Sequence, residues 1–223
     1  MIYIAPSMLS ADFWELGNDL RRIADAGADY LHLDVMDGAF VPNISFGTPV
    51  IASIRPHCNL IFDVHLMIND PIRYIDDYAK AGADIITFHI ESCTDVMEVI
   101  NAIHQKGLRC GLAISPATPV EKIIPYLPEI DMALIMTVVP GFGGQALIPE
   151  TLDKVRVVRN YADTHQLQLD IEVDGGIKAD NIALTTQMGA NVIVAGSAIF
   201  NAKNPEGVIS AMRSAAEQNP YQK

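Results

Sequence analysis

Short apolar runs recur along the chain and alternate with segments of helical periodicity. The eight runs cover residues 3–7, 30–34, 60–65, 85–89, 109–115, 132–138, 169–173 and 192–195. Their nearly continuous apolar character is typical of strands buried on both faces of a parallel sheet, because one-sided strands alternate apolar and polar residues. The pattern therefore predicts buried parallel strands.

The segments between these runs carry helix start signals. Asp12 and Glu15 have the spacing of a capping box, which predicts a helix start there. Thr48, Asp70 and Thr118 each precede a proline and are predicted to be N-caps. Repeated strand–helix units without a linker indicate an α/β fold, a single-domain (β/α)₈ TIM barrel over residues 1–223. The alternative is a doubly wound sheet, but its usual G-x-G-x-x-G turn is missing after the first run.

Composition narrows the classes of function. The chain has 223 residues, half of them apolar, and a formal net charge of −12. Nucleic acids and anionic membranes are not expected as partners, because both require clustered Lys and Arg. Three widely spaced cysteines fit a reducing compartment, and no apolar run is long enough to span a bilayer. We therefore expect a cytoplasmic protein. Any anionic ligand would be bound by a few groups at one site and not by a broadly basic surface.

Polar side chains cluster at the predicted strand ends, where barrels carry their chemistry. His32 and Asp34 are two residues apart and so point to the same side of the second strand. His65 and Asp174 stand at the ends of the third and seventh strands. Two imidazoles and two carboxylates suit one divalent metal ion, with Zn²⁺ preferred and Fe²⁺, Co²⁺ or Mn²⁺ as alternatives.

Other polar strand residues have less direct interpretations. A single strand histidine is more often a core residue than a ligand, but several candidates at neighbouring strand ends favour a site. Asp63 and Glu172 lie two residues before two of the candidate ligands and are predicted to be deeper structural residues. His89 and Glu91 either support the ligands or form an ordinary polar strand end.

Glycine-rich segments follow the last three predicted strands. They are PGFGGQ from position 140, DGGI from 174 and AGSAIF from 195. Glycine lets backbone N–H groups approach a ligand, and a short helix starting near Ser197 would direct its positive end at an anion. A tight turn explains any one glycine equally well, but three such loops together predict a phosphate site.

Two connections are long and are predicted to act as lids over the site. They cover residues 35–47 and 138–150, whereas such loops usually have about 2–6 residues. Asp37 is assigned to the turn that starts the first lid. Met36, Met67 and Met136 are predicted to form an apolar cap, although core packing is the simpler explanation for any one of them.

These groups together suit proton abstraction next to a carbonyl. A divalent metal would polarise the carbonyl and stabilise an enediolate. Asp34 and Asp174 would act on opposite faces of a bound sugar, one taking a proton and the other returning one. The predicted result is inversion of a stereocentre.

Six segments resemble the signature segments of the ribulose-phosphate 3-epimerase family, in order along nearly the whole chain. They are PSMLSAD, LHLDVMDGAFVPNISFG, DVHLM, MTVVPGFGGQ, EVDGGI and GSAIF. The resemblance implies a ribulose-phosphate-binding barrel that interconverts D-ribulose 5-phosphate and D-xylulose 5-phosphate in the pentose phosphate pathway. It implies the metal ligands His32, Asp34, His65 and Asp174, with both aspartates as the acid/base pair. The substrate contacts that it implies are Ser7, His65, Gly141, Phe142, Gly143, Gly144, Asp174, Gly175, Gly176, Gly196 and Ser197.

Several alternatives remain beside this resemblance. D-allulose-6-phosphate 3-epimerase is similar in its ligands and differs mainly in substrate length. A decarboxylase of the orotidine-monophosphate type would need a D-x-K-x-x-D strand, and no lysine follows Asp34 there. A metal-dependent hydrolase would not need three glycine-rich loops, and the presence of both aspartates argues against a non-catalytic sugar-phosphate-binding barrel. Val139 stands where the family commonly has a polar residue. A homo-oligomer is expected.

Overall fold

The computed structural model describes residues 1–218 and Tyr221 and contains eight parallel strands in a nearly closed barrel. The strands are β1 Tyr3–Pro6, β2 Tyr30–Met36, β3 Ile61–Met67, β4 Ile85–His89, β5 Arg109–Ile114, β6 Met132–Met136, β7 Asp170–Asp174 and β8 Val192–Ala195. They pair in the order β1-β8-β7-β6-β5-β4-β3-β2, and a parallel bridge between Ser7 and His32 links β1 to β2. This arrangement confirms the predicted barrel in place of an open doubly wound sheet.

Helices surround the barrel after most of the strands. They are α1 Leu16–Asp25, α2 Thr48–Ile54, α3 Ile75–Ala81, α4 Val96–Gln105, α5 Leu152–Thr164, α6 Ile182–Gln187, α7 Ser197–Phe200 and α8 Pro205–Glu217. Between β5 and β6 the described chain has only the 3₁₀ turns Val120–Lys122 and Ile124–Glu129. Prolines in this stretch, including Pro128 inside the second turn, lack the N–H that an α-helix needs.

The structure departs in detail from four predicted helix starts. α1 begins at Leu16, because the Asp12 carboxylate instead accepts a hydrogen bond from the Trp14 N–H at 2.9 Å. Thr48 is the first residue of α2 and not its N-cap. Asp70 and Thr118 are each followed by a 3₁₀ turn that their side chains do not cap. The capping-box prediction and the three N-cap predictions are therefore wrong in detail.

The barrel interior is apolar near the strand starts and polar near the strand ends. The apolar cluster consists of Ala5, Tyr30, Ile85, Met132, Val192 and Val194. The buried polar layer consists of His32, Asp34, Asp63, His65, Thr87, His89 and Glu172. Intervening residues such as Leu33 and Val64 belong to the larger core between the strands and the helices. The strand alternation thus brings the predicted chemistry inside the barrel.

Membrane-spanning segments, cysteines and domain organisation were also predicted from the sequence. Within residues 1–218 and Tyr221, no helix combines the length and apolar character needed to cross a membrane. The three cysteines are free thiols. That residues 1–223 form one domain stays a prediction, and residues 219, 220, 222 and 223 lie outside the described part of the chain.

Candidate active site

The four predicted metal ligands converge at the carboxyl ends of β2, β3 and β7. One nitrogen or oxygen of each lies within 4.8 Å of those of the other three, and β2 pairs with β3 so that Asp34 stands opposite His65. His32 Nε2 lies 3.3 Å from both His65 Nδ1 and Asp34 Oδ1. The Asp34 oxygen is also 3.2 Å from His65 Nδ1. Asp174 Oδ2 lies 4.0 Å and 3.9 Å from the two histidine nitrogens.

Asp63 fixes the orientation of His32 from inside the barrel. Its Oδ2 lies 2.6 Å from His32 Nδ1, and its Oδ1 accepts a hydrogen bond from the Thr87 hydroxyl at 3.2 Å. Because a carboxylate only accepts, His32 Nδ1 carries the proton. In the neutral ring, Nε2 then directs its lone pair toward Asp34, as a metal-binding histidine requires.

The donor set fits a divalent cation. Lone pairs of His32 Nε2 and Asp34 Oδ1 face each other at 3.3 Å, an approach that a proton or a cation between them stabilises. Zinc–ligand bonds of about 2.0–2.1 Å at tetrahedral angles separate neighbouring ligand atoms by about 3.3–3.4 Å. The distances among His32, His65 and Asp34 agree with this spacing, and Asp174 lies somewhat farther out.

The two candidate acid/base residues have opposite electrostatic environments. Burial disfavours a charge on Asp34, but a positive charge on His32 outweighs burial and holds the pKa of this carboxyl well below its usual range. Burial lowers the pKa of His32 itself, but Asp34 and Asp63 outweigh burial and hold that pKa well above its usual range. At Asp174, burial and then the negative charge of Asp34 raise the pKa to about 7. Ser7 Oγ donates a hydrogen bond to Asp34 Oδ2 at 2.5 Å. Carboxyls with separated pKa values suit opposite roles in proton transfer.

Burial also shifts the pKa values of the other titratable groups in the barrel interior. It lowers the pKa of His65, and it lowers the pKa of His89 to about 4, so both rings are neutral near pH 7. Burial and the neighbouring Asp63 carboxylate raise the pKa of Glu172 well above its usual range. Glu172 Oε1 lies 3.4 Å from His32 Nδ1. Asp63 and Glu172 thus lie deeper than the candidate ligands, beneath His32.

A cavity opens above these groups and has an empty volume of about 780 Å³ including its mouth. The predicted site residues that line it are Ser7, Asp34, Gly141, Phe142, Gly143, Gly144, Asp174, Gly175, Gly176, Gly196 and Ser197. Met36, Met67 and Met136 line it as well, at the position of the predicted apolar cap. His65, also predicted to contact substrate, is fully buried and is not a lining residue.

The glycine-rich wall of the cavity owes its shape to close backbone packing. Gly176 has a φ of +71°, and a Cβ there would lie 2.3 Å from the Leu147 backbone nitrogen. A Cβ at Gly196 would lie 2.4 Å from Ser10 Oγ. The short helix α7 starts directly after Gly196. Backbone N–H groups at such places can approach an anion without a side chain intervening.

The two long connections contact each other at Gly141, which lines the cavity. Asn43 Nδ2 donates to the Gly141 carbonyl at 3.0 Å. Gln145 Nε2 donates to the carbonyls of Val139 and Phe142 at 2.7 Å and 2.8 Å. The Val139 side chain is 60 % exposed and does not line the cavity. Movement of these segments as lids stays a prediction.

Sequence analysis predicted some further lining residues only as members of the three glycine-rich segments: Pro140, Gln145, Ile177, Ala195 and Ala198. It assigned no site role to the others, which are Leu9, Ser10, Val138, Lys178 and Val194. Lys178 is the one cationic side chain among the described lining residues, and its place directly after DGGI was a signal for it. Ser10 had no comparable signal for a role at the cavity.

Comparisons with known proteins agree with this geometry. Residues 3–200 match the sequence profile described as the Ribulose-phosphate 3 epimerase family. The chain is 46% identical to ribulose-phosphate 3-epimerase of Synechocystis, covering 98% of this chain and 96% of that protein. It is 48% identical to the cytoplasmic isoform of Oryza sativa, over 96% and 94% of the two chains, and 45% identical to the Bacillus subtilis enzyme, over 96% and 99%.

Solved structures of more distant proteins share the fold. A crystal structure of KGPDC from Streptococcus mutans has a TM-score of 0.72 at 15% identity and covers 98% of this chain and 99% of that one. For 3-hexulose-6-phosphate synthase from Salmonella typhimurium, the TM-score is 0.71 at 21% identity, with 98% and 100% coverage. At these identities the likeness concerns the fold alone.

Proposed function

The chain belongs to the ribulose-phosphate 3-epimerase family and is an enzyme of that type, and from this premise we propose a metal-dependent, two-base reaction at C3. In it D-ribulose 5-phosphate and D-xylulose 5-phosphate are interconverted. The observation that carries the proposal is the convergence of Asp34 and Asp174 with two imidazoles beneath a cavity whose other wall is glycine-rich.

Four side chains would hold the metal ion in this proposal: His32, Asp34, His65 and Asp174. Zn²⁺ is our first choice, and mixed nitrogen and oxygen donors also admit Fe²⁺, Co²⁺ and Mn²⁺. When bound, the ion supplies Lewis-acid polarisation of the substrate carbonyl, which acidifies the neighbouring C–H bond.

Asp34 and Asp174 carry the proton in our proposal. Asp34, which a neighbouring positive charge keeps ionised, accepts the C3 proton. Asp174, at the end of β7, supplies a proton to the opposite face. In the reverse direction the two roles exchange. Met36, Met67 and Met136 present apolar surface to the reacting carbon and restrict water there.

The substrate phosphate binds at the glycine-rich wall in our proposal. Backbone groups of residues 143–144, 175–176 and 196–197 line that wall, and they suit a phosphate because N–H groups supply hydrogen bonds without a basic surface. This arrangement agrees with the net charge of −12. A cytoplasmic location and a homo-oligomeric state stay predictions; the first is supported by the name of the rice relative.

An exchange assay tests the proposed reaction. Protein supplied with Zn²⁺ is incubated with ribulose 5-phosphate in D₂O, beside a parallel reaction with allulose 6-phosphate. We expect xylulose 5-phosphate carrying deuterium at C3 and a lower kcat/KM for the hexulose. A higher kcat/KM for allulose 6-phosphate would reassign the substrate, and release of free phosphate would contradict epimerisation. No exchange with any of the four metals would favour a sugar-phosphate-binding barrel.

A further inference from the structure

A chain of hydrogen bonds leads away from His65 on the side that does not face the other ligands. His65 Nε2 lies 2.9 Å from His89 Nε2, and the two rings stack with centroids 5.0 Å apart. His89 Nδ1 lies 3.1 Å from Glu91 Oε2. Both histidines are fully buried. The reaction proposed above gives His89 and Glu91 no role.

The outer end of this chain is held by the loop after β5. Glu91 Oε1 accepts hydrogen bonds from the Ser115 N–H at 2.9 Å and from the Thr118 hydroxyl. Lys154 Nζ in turn donates to the carbonyls of Ser115, Pro116 and Thr118 at 3.2, 2.7 and 2.7 Å. One carboxylate oxygen of Glu91 is therefore engaged by the loop, and only the other oxygen faces His89.

The positions of the protons follow from these partners. Because a carboxylate only accepts, His89 Nδ1 carries the proton that faces Glu91. The Nε2 of the neutral His89 ring is then an acceptor, so the facing His65 Nε2 must be the donor. A neutral His65 protonated on Nε2 presents the lone pair of Nδ1 to His32 and Asp34, where the metal ligands meet.

We propose that His89 and Glu91 are positioning residues that hold His65 in the tautomer whose Nδ1 binds the metal ion. This inference rests on the metal dependence proposed above. The two metal-facing histidines are thereby fixed in different ways. Asp63 contacts His32 directly inside the barrel, whereas the carboxylate that fixes His65 lies one imidazole away, beside the loop after β5.

The substitution Glu91→Gln separates this role from simple packing. A glutamine has one acceptor oxygen, and the Ser115 and Thr118 donors retain it on their side. Its NH₂ group then faces His89 Nδ1, which becomes an acceptor. Both rings must reverse their tautomers, and His65 would direct an N–H at the metal site. We expect Zn²⁺ affinity to fall about 10–100-fold, as when a hydrogen-bond partner of a metal ligand is lost.

Two substitutions of His89 provide a matched comparison. His89→Phe keeps an aromatic ring beside His65 but leaves the His65 N–H without an acceptor, and we expect the same loss of Zn²⁺ affinity. In His89→Gln the amide oxygen accepts from His65, so we expect affinity within about threefold of the parent protein. Glu98→Gln, at an exposed position on α4, is the control for removing one carboxylate.

Zn²⁺ dissociation constants from competition with a chromophoric chelator provide the main readout. The ¹⁵N chemical shifts of the imidazoles report the tautomer of His65, and melting temperatures report folding. The proposal is overturned if Glu91→Gln binds Zn²⁺ as tightly as Glu98→Gln, if His89→Gln is as weak as His89→Phe, or if His65 in the parent protein is protonated on Nδ1. A parent protein that binds no divalent metal overturns the metal dependence as well.

Discussion

The two walls of the cavity offer different chemical groups to a ligand. Below the cavity, side chains on β2, β3 and β7 bring nitrogen and oxygen atoms within 4.8 Å of one another. Across from them, the loops after β6, β7 and β8 contribute a glycine-rich surface on which Lys178 is the one cationic side chain among the described lining residues. The first region, the ligand wall, holds charge on side chains. The second, the glycine wall, offers backbone dipoles.

This difference predicts that one wall acts mainly in the chemical step and the other mainly in substrate binding. Groups on rigid strands are held precisely enough to move a proton or bind a metal ion, whereas backbone N–H groups bind an anion uniformly through the reaction. Substitutions in the ligand wall should therefore lower kcat, and substitutions in the glycine wall should raise KM. Four experiments test how strictly this division holds.

The largest effect is expected from removing either proton carrier. Asp34→Asn and Asp174→Asn keep the shape of the side chain, remove its ability to exchange protons and weaken it as a metal ligand, so both variants are assayed at saturating Zn²⁺. We expect kcat to fall about 10²–10⁴-fold and deuterium exchange at C3 to fall with it. Isotope uptake by NMR measures both, and Asp25→Asn on the exposed face of α1 is the control. Normal turnover by either active-site variant, folded as judged by circular dichroism, would refute the two-base assignment.

Removal of the metal ion should impair the ligand wall and leave anion binding at the glycine wall unchanged. After dialysis against a chelator we expect about a hundredfold loss of kcat, restored by Zn²⁺, because several kcal/mol of charge stabilisation are lost. The melting temperature should also fall, since a metal ion at 100 times its Kd stabilises the fold by about 2.7 kcal/mol. Affinity for inorganic phosphate, measured by calorimetry, should stay unchanged. A parallel loss of phosphate binding would show that the two walls depend on each other.

A substitution in the glycine wall should give the opposite pattern. In Gly176→Ala the new Cβ would lie 2.3 Å from the Leu147 nitrogen at a φ of +71°, a strain of about 1–3 kcal/mol that must move the backbone. We expect KM to rise about tenfold while Zn²⁺ affinity is retained. Gly17→Ala is the control, because its Cβ would meet no atom within 4 Å. If kcat falls instead of KM rising, Gly176 acts on the reacting groups and not on the phosphate.

The ligand wall could be predicted from the sequence in more detail than the glycine wall. Strand alternation places His32 and Asp34 on one side of β2, so the candidate ligands could be predicted from residue type and spacing. The glycine wall could be predicted only as a region, because its form depends on contacts between distant segments. Asn43 and Gly141, which are joined by a hydrogen bond, are 98 residues apart in sequence. The pairing of His89 with His65 likewise required the register of β3 and β4.

The smallest effect is expected at Thr137, which joins the two walls. Its N–H donates to the Asp174 carbonyl at 2.8 Å, and its hydroxyl donates to the Gly175 carbonyl at 2.7 Å. Thr137→Val removes only the hydroxyl bond, worth about 0.5–1.5 kcal/mol, so the backbone of the glycine wall loosens while Asp174 stays tied to β6. We expect KM to rise about 2–10-fold, from the same energy, with kcat and Zn²⁺ affinity unchanged in steady-state and chelator-competition assays. If kcat falls as much as KM rises, Thr137 transmits the position of the glycine wall to Asp174, and the division between the walls is not strict.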